Sequence, residues 1–180
     1  MRDKGIEELA QAWTQLQENH PEVRLVLVGP LEPQDPVSNV AVSLFENDPR
    51  VTITGWVDDT AKYYPLFDLV VLPTYREGLP NVPLEAAAMS KAVVATNIPG
   101  CTDAVEDGVT GTLVPVRDAD ALADAIQMYL DDPDLRRQHG KAGRERVLSD
   151  FRQEVIWEST YKEYRRLLVE KGLPVPDPVQ

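Results

Sequence analysis

Between Asp68 and Met89 the chain reads Asp-Leu-Val-Val-Leu-Pro-Thr-Tyr-Arg-Glu-Gly-Leu-Pro-Asn-Val-Pro-Leu-Glu-Ala-Ala-Ala-Met. A short apolar run without polar alternation gives way to a turn dense in Gly, Pro and Asn, and then to a block of helix formers. The order is strand, turn, helix. A strand that is apolar on both faces belongs in a parallel sheet covered by helices. In such a sheet the carboxyl end of a strand and the amino end of the next helix meet at the crevice where ligands bind. The turn's backbone N–H groups and the positive end of the helix dipole suit an anion such as phosphate. Glu77 and Glu85 flank this turn, separated by seven residues. As ionised carboxylates they only accept hydrogen bonds, so they suit hydroxyl groups. Phosphate donors flanked by hydroxyl acceptors describe a site for a nucleotide sugar.

The same alternation recurs along the chain. Ile6, Leu9, Ala10, Trp13 and Leu16 fall at helical spacing, with Glu7, Glu8, Gln11 and Gln15 on the opposite face. Arg24–Gly29 reads as a buried parallel strand ending in glycine, and Val37–Asn47 as a helix with Val37, Val40, Ala41, Leu44 and Phe45 inward. Val51–Gly55 is the next strand, followed by Trp56, read as a packing residue, and by a short helix over Asp59–Tyr64. After the glutamate turn come a strand over Ala92–Thr96, a helix over Cys101–Glu106 and a strand over Gly111–Pro115. Asp118 is placed to cap a helix whose apolar face is Ala119, Leu122, Ala123, Ile126 and Leu130. Asp118-Ala-Asp120 also spells an Asp-x-Asp, but at a helix start capping explains it better than a metal. An Arg-rich helix over Leu135–Leu148 follows, and then one over Gln153–Glu170. That last helix carries Ile156, Trp157, Tyr161, Tyr164, Leu167 and Leu168, more apolar surface than one exposed face accounts for. The fold class is α/β, with one domain over residues 1–171 and a loose proline-rich tail over 172–180.

Composition narrows the ligands. The chain has 18 Lys and Arg against 30 Asp and Glu, a formal charge of -12, so its field repels polyanions and argues against nucleic acid. A phosphate ligand must then be held by local donors. A single cysteine, Cys101, excludes an intramolecular disulfide and fits a reducing compartment. No apolar stretch approaches the roughly 18 residues of a membrane span, and the first residues are not a signal peptide, so a cytoplasmic domain is expected.

Taken in register from about Arg2 to about Phe151, these features resemble family 4 of the retaining glycosyltransferases, also called glycosyl transferases group 1. They comprise Asp68, Pro73-Thr74-Tyr75, the Glu77 and Glu85 pair, Glu85-Ala86-Ala87, Val93-Val94-Ala95-Thr96 and Pro99-Gly100. The resemblance implies a Rossmann-like parallel sheet flanked by helices, the carboxyl-terminal, donor-binding half of a GT-B glycosyltransferase. It also implies a first strand and an acceptor-holding amino-terminal domain ahead of this chain. Three positions depart from the family's usual text: Ser90 where Gly is common, Ala92 where Pro is common, and Asp103 where Glu is common.

The resemblance assigns roles. Glu77 binds the donor sugar's hydroxyls and is the candidate catalytic residue. The backbone of Gly78, Leu79, Pro80 and Asn81 faces the sugar and phosphates, and Glu85 holds the ribose hydroxyls. An acidic residue complementing a helix start is the plainer reading of Glu85 taken alone. Lys4 clamps the diphosphate with an arginine upstream of Met1, though an exposed lysine at a helix start explains it as well. Gly29 approaches the nucleotide, and the backbone near Val57 reads the base edge. The implied activity is metal-independent, retaining transfer from a nucleotide-diphosphate sugar, UDP foremost. The acceptor is a glycan or lipid-linked hydroxyl met through the other domain, in polysaccharide or glycan synthesis and possible at the inner membrane surface. An N-acetylhexosamine or hexose donor fits. Rival readings are a GT-B-fold epimerase or phosphorylase, for which His20 and His139 are the only histidines and stand at helix edges, and a binding module without catalysis. The final helix offers a surface for self-association.

Overall fold

The computed structural model describes residues 2–30 and 36–175. The sequence readings for 31–35 and for the end of the tail lie outside the described residues. Contacts divide the chain into two compact units that meet at Arg144 and Glu145.

The first unit follows the expected alternation. Helix α1 (Ile6–Asn19) leads to strand β1 (Leu25–Leu27), helix α2 (Asn39–Asn47) and strand β2 (Val51–Ile53). Two single 3-10 turns, Thr60–Lys62 and Tyr64–Leu66, replace the short helix expected there. Strand β3 (Leu69–Leu72), helix α3 (Asn81–Ala88), strand β4 (Ala92–Thr96), helix α4 (Cys101–Ala104), strand β5 (Gly111–Val114) and helix α5 (Ala119–Asp131) complete the alternation. Helix α6 (Pro133–Asp150) carries the chain out of this unit.

All strand pairs are parallel, in two hydrogen-bonded sheets: β1 with β2, and β3-β4-β5. Among the described residues only β4 has a neighbour on both sides, and all five of its residues are buried. β1 and β2 have one neighbour each and contain no fully buried residue, so the expectation that Arg24–Gly29 is a buried strand is corrected. Burial on both faces needs cover that an edge strand lacks. Both sheets nevertheless share one core. Leu25, Leu27, Val51, Ile53, Leu69 and Val71 pack against a cluster built on Leu9, Trp13 and Leu16 of α1 and Leu122, Ile126 and Tyr129 of α5. Each fully buried side chain of this cluster is worth about 1.5–3 kcal/mol, which is what holds α1 and α5 against the strands.

Polar ties fix the helices in place. Trp13 Nε1 donates to Asp48 Oδ2 at 3.0 Å, and Arg50, stacked 5.4 Å from the Trp13 ring, donates to the same carboxylate at 2.8 Å. These bonds hold the Asp48 carboxyl far below the usual range, Arg50's side chain contributing most. Helix α2 starts later than its apolar spacing suggested. Ser38 Oγ accepts from the Ala41 N–H at 3.2 Å and sets the boundary, which leaves Val40 79% exposed. Asp118 caps α5 as expected, accepting from the Ala121 N–H at 2.9 Å, and Asp120 accepts from Gln15 Nε2 at 2.6 Å.

Helix α3 ends in a Schellman pair. Lys91 N–H donates to Ala86 O and Ser90 N–H to Ala87 O, both at 2.9 Å, and the Arg144 guanidinium donates to Ala88 O. This geometry forces Ser90 to φ +57, the left-handed region that glycine occupies without penalty.

In the second unit, Gln153–Glu170 forms helix α7 as expected, with none of its residues buried. Trp157 and Tyr164 are each more than half exposed, while Arg166 pairs with Glu163 and Glu170 along the helix.

One buried polar chain corrects a reading. His139 stands inside α6, 4% exposed, not at a helix edge. Its Nδ1 lies 2.7 Å from the Tyr129 hydroxyl, which lies 2.9 Å from Thr112 Oγ1. Burial favours the neutral ring and lowers the His139 pKa.

Two predictions follow from these contacts. Ser90→Gly relieves the left-handed serine and should stabilise the chain by about 1 kcal/mol, raising the melting temperature by roughly 3 °C in a thermal melt. The unfolded chain protonates His139 at a higher pH than the folded one, so its contribution is complete above pH about 6.5 and is lost as pH falls through the lower folded pKa. The urea midpoint should decline below that pH, and a proton NMR titration should place the folded His139 midpoint below that of a free imidazole.

Candidate functional site

The residues before α1 are sewn to the carboxyl end of β3. Tyr75 N–H donates to Asp3 O at 2.7 Å, Thr74 Oγ1 donates to the same carbonyl at 3.0 Å, and Arg76 pairs with the Asp3 carboxylate at 2.7 Å. Thr74 is fully buried, and its own carbonyl accepts from the Thr96 hydroxyl at the end of β4. Gly5 has φ +66, and a Cβ there would lie 1.9 Å from Pro73 O. Only glycine lets the start of α1 approach β3 this closely.

This join brings Lys4 to the glutamate turn. Lys4 Nζ donates to Glu77 Oε1 at 2.5 Å, with the lysine 51% exposed and the glutamate 19%. An ion pair this open to solvent adds at most about 1 kcal/mol to stability. Its interest is chemical: an ammonium group and a carboxylate share one edge of the turn. From below, Gly100 at φ +85 packs against the turn, and a Cβ there would lie 2.0 Å from Gly78 O and 3.0 Å from Glu77 O. Cys101, fully buried beneath, has its thiol pKa pushed up by burial first and by the Glu77 charge second.

Gly78 and Leu79 are exposed, Pro80 is the buried cap residue of α3, and Asn81 is its first helical residue. Pro80 offers no side-chain cap. The first N–H groups of a helix have no acceptor within it, so Asn81 and Val82 present donors at the positive end of the α3 dipole. Asn81, of a residue type that often caps helices, stands one residue too late to cap this one.

Glu85 lies in the second turn of α3, beyond reach of the helix start, so complementing the dipole does not account for it. Its Oε2 accepts from the Tyr64 hydroxyl at 2.8 Å. The sequence placed Tyr64 on a short helix without a role, and no spacing rule connects it to Glu85.

Gly29 and Val57 stand at the other sheet. Gly29 N–H donates to Thr54 Oγ1 at 3.2 Å and bridges to Gly55 at the carboxyl ends of β1 and β2, and Val57 follows two residues on. Trp56 is 79% exposed, its indole N–H donating to Asp58 at 3.1 Å, so the reading of Trp56 as a packing residue is corrected. β2 ends at Ile53, and the chain beyond it has left the core. The structure thus unites Lys4, Glu77 and Gly78, sets Glu85 farther along α3 with the Tyr64 hydroxyl of the preceding 3-10 turn against it, and carries Gly29 and Val57 beyond the carboxyl ends of the two-stranded sheet.

Comparison with known proteins agrees with this architecture. Residues 1–132 match the family model of glycosyl transferases group 1. The chain is 34% identical over 170 residues to the capsular polysaccharide biosynthesis glycosyltransferase CapM of Staphylococcus aureus, covering 94% of this chain and 45% of that protein. Sucrose-phosphate synthase from Thermosynechococcus elongatus superposes with a TM-score of 0.80 at 36% identity, over 94% of this chain and 44% of the other. HepE from Anabaena, solved with UDP-glucose, superposes with a TM-score of 0.74 at 25% identity, over 87% of this chain and 43% of the other. The chain spans less than half the length of the curated relatives it matches. No helix among the described residues is long and apolar enough to cross a membrane.

Gly100→Ala tests the support beneath the turn. The added methyl group meets a backbone carbonyl and the positive φ is strained, so a loss of about 1–3 kcal/mol is expected in urea unfolding.

Proposed function

We propose that this chain, which belongs to the glycosyl transferases group 1, is the donor-binding half of a GT-B glycosyltransferase that moves a sugar from a nucleotide diphosphate to an acceptor hydroxyl. The observation that carries this reading is the Lys4–Glu77 pair at the start of α3, a helix without a side-chain cap. A diphosphate needs cations and amide donors, and a sugar needs acceptors for its hydroxyls. The turn supplies both along one edge.

As the bond between the anomeric carbon and the diphosphate oxygen breaks, positive charge builds on the ring and negative charge on the leaving group. Lys4 and the N–H groups of Gly78, Leu79, Asn81 and Val82 stabilise that negative charge, so no divalent ion is required. Glu77 orients the sugar through its hydroxyls and is not a covalent nucleophile. Binding draws Lys4 from Glu77 towards phosphate and frees Glu77 Oε1 for the sugar. Glu85 takes the ribose, and Gly29 and the backbone at Val57 approach the base. Retention at the anomeric carbon rests on the likeness to family 4. A UDP-hexose or UDP-N-acetylhexosamine donor is supported by HepE's UDP-glucose complex, and a role in polysaccharide assembly by the likeness to CapM. The acceptor, a glycan or a lipid-linked hydroxyl at the cytoplasmic face of the membrane, is held by the remainder of the longer protein.

Calorimetric titration of this chain with UDP, GDP and ADP, with and without magnesium, tests the donor site. One nucleotide should bind, with equal affinity in EDTA, and Lys4→Met should weaken it roughly tenfold or more. Binding that requires magnesium would overturn the metal-independent reading, and no binding in any series would overturn the donor site. In the longer enzyme, Glu77→Gln should lower kcat by roughly two orders of magnitude, measured as sugar transfer.

A further inference from the structure

Tyr64 has no part in the chemistry above, yet its placement is specific. The residue is 5% exposed and belongs to the smaller core cluster with Val70, Ala86, Val93 and Ala95. Its ring meets Phe67 edge-on, with centroids 6.1 Å apart. The ring is therefore held by packing, and its hydroxyl emerges at the edge of the core. There it donates to Glu85 Oε2 at 2.8 Å.

Glu85 itself is exposed on α3. An exposed glutamate samples several rotamers, and a ligand that needs one of them must bear the entropy of selecting it. A rigid donor fixed to one carboxylate oxygen removes that cost beforehand and leaves Oε1 with its lone pairs open. Burial, and then the neighbouring carboxylate, push the Tyr64 pKa far up, so the phenol keeps its proton and always acts as the donor.

We propose that Tyr64 is a positioning residue of the nucleotide site: its hydroxyl holds Oε2 of Glu85 so that Oε1 meets the ribose hydroxyls, and it thereby sets the preference for ribonucleotides over 2′-deoxyribonucleotides. The proposal rests on the reading of Glu85 as the ribose-binding group. Without Tyr64 the carboxylate swings free and contacts the ribose only part of the time. A 2′-deoxy ligand, already lacking one hydroxyl, gains less from Glu85 and loses less when Glu85 is released.

The test titrates the chain and its Tyr64→Phe variant with UDP and with 2′-deoxy-UDP. The substitution keeps the ring and its packing and removes one oxygen. The unchanged chain should bind UDP roughly tenfold more tightly than the deoxy form. In Tyr64→Phe, UDP should weaken by roughly the same factor while the deoxy form changes little, so the ratio collapses towards one. The deoxy ligand is the internal control for folding. If both ligands weaken equally, Tyr64 is only a structural tie and the proposal is overturned. A ratio preserved in Tyr64→Phe but abolished by Glu85→Gln overturns the role of Tyr64 and leaves that of Glu85 standing. If the unchanged chain binds neither ligand, or binds both alike, the ribose assignment of Glu85 falls and the proposal falls with it.

Discussion

The site depends on the join between Asp3–Gly5 and the end of β3. Three hydrogen bonds and ion pairs converge on Asp3 alone, from Thr74, Tyr75 and Arg76. Because Gly5 adds no side chain, α1 starts directly over Pro73 and delivers Lys4 to Glu77 across a sequence separation of 73 residues. The same end of β3 is tied to β4 through Thr96 and rests on the Gly100 loop. The turn is thus fixed from three sides, and Glu77 is left at its open edge, paired with Lys4.

The parts of this arrangement legible in the sequence were those written in local pattern. Ala92–Thr96, a continuous apolar run, is the strand in the structure residue for residue, and Gln153–Glu170 is the helix. Asp118 capped its helix because capping is decided within three residues. What escaped was set by partners distant in sequence. The Arg24–Gly29 run resembles that of β4, but its burial depends on how many strands flank it. Trp56 looks like a core residue by type, and the chain's departure from β2 at Ile53 puts it in solvent. The two glutamates were visible as a spaced pair, whereas the hydroxyl that holds Glu85 comes from a turn 21 residues earlier. Ser90 was visible as a departure from a glycine, and the structure supplies the reason: it occupies the left-handed position of a Schellman ending.

The acidic character of the chain gives the local cations their meaning. With a formal charge of -12, long-range steering opposes an approaching diphosphate, and affinity has to come from contacts shorter than a Debye length of about 8–10 Å. In the proposed reading, Lys4 and the start of α3 work at that range. Pairing Lys4 with Glu77 in the meantime keeps the ammonium aimed at the turn and prevents either charge from standing alone.

The division of the strands into two sheets bears on how the molecule opens. β4 is bonded on both sides and wholly buried, so its amides should be among the last to exchange with deuterium. The β1–β2 pair is three residues long on each strand and only partly buried, so its amides should exchange sooner than those of β4. Gly29 and Val57 ride on that softer pair, whereas Glu77 and Glu85 are anchored to the harder one. A ligand spanning both would slow exchange most at the sheet that is loosest without it, a redistribution of protection that marks where its binding energy is used to order the protein.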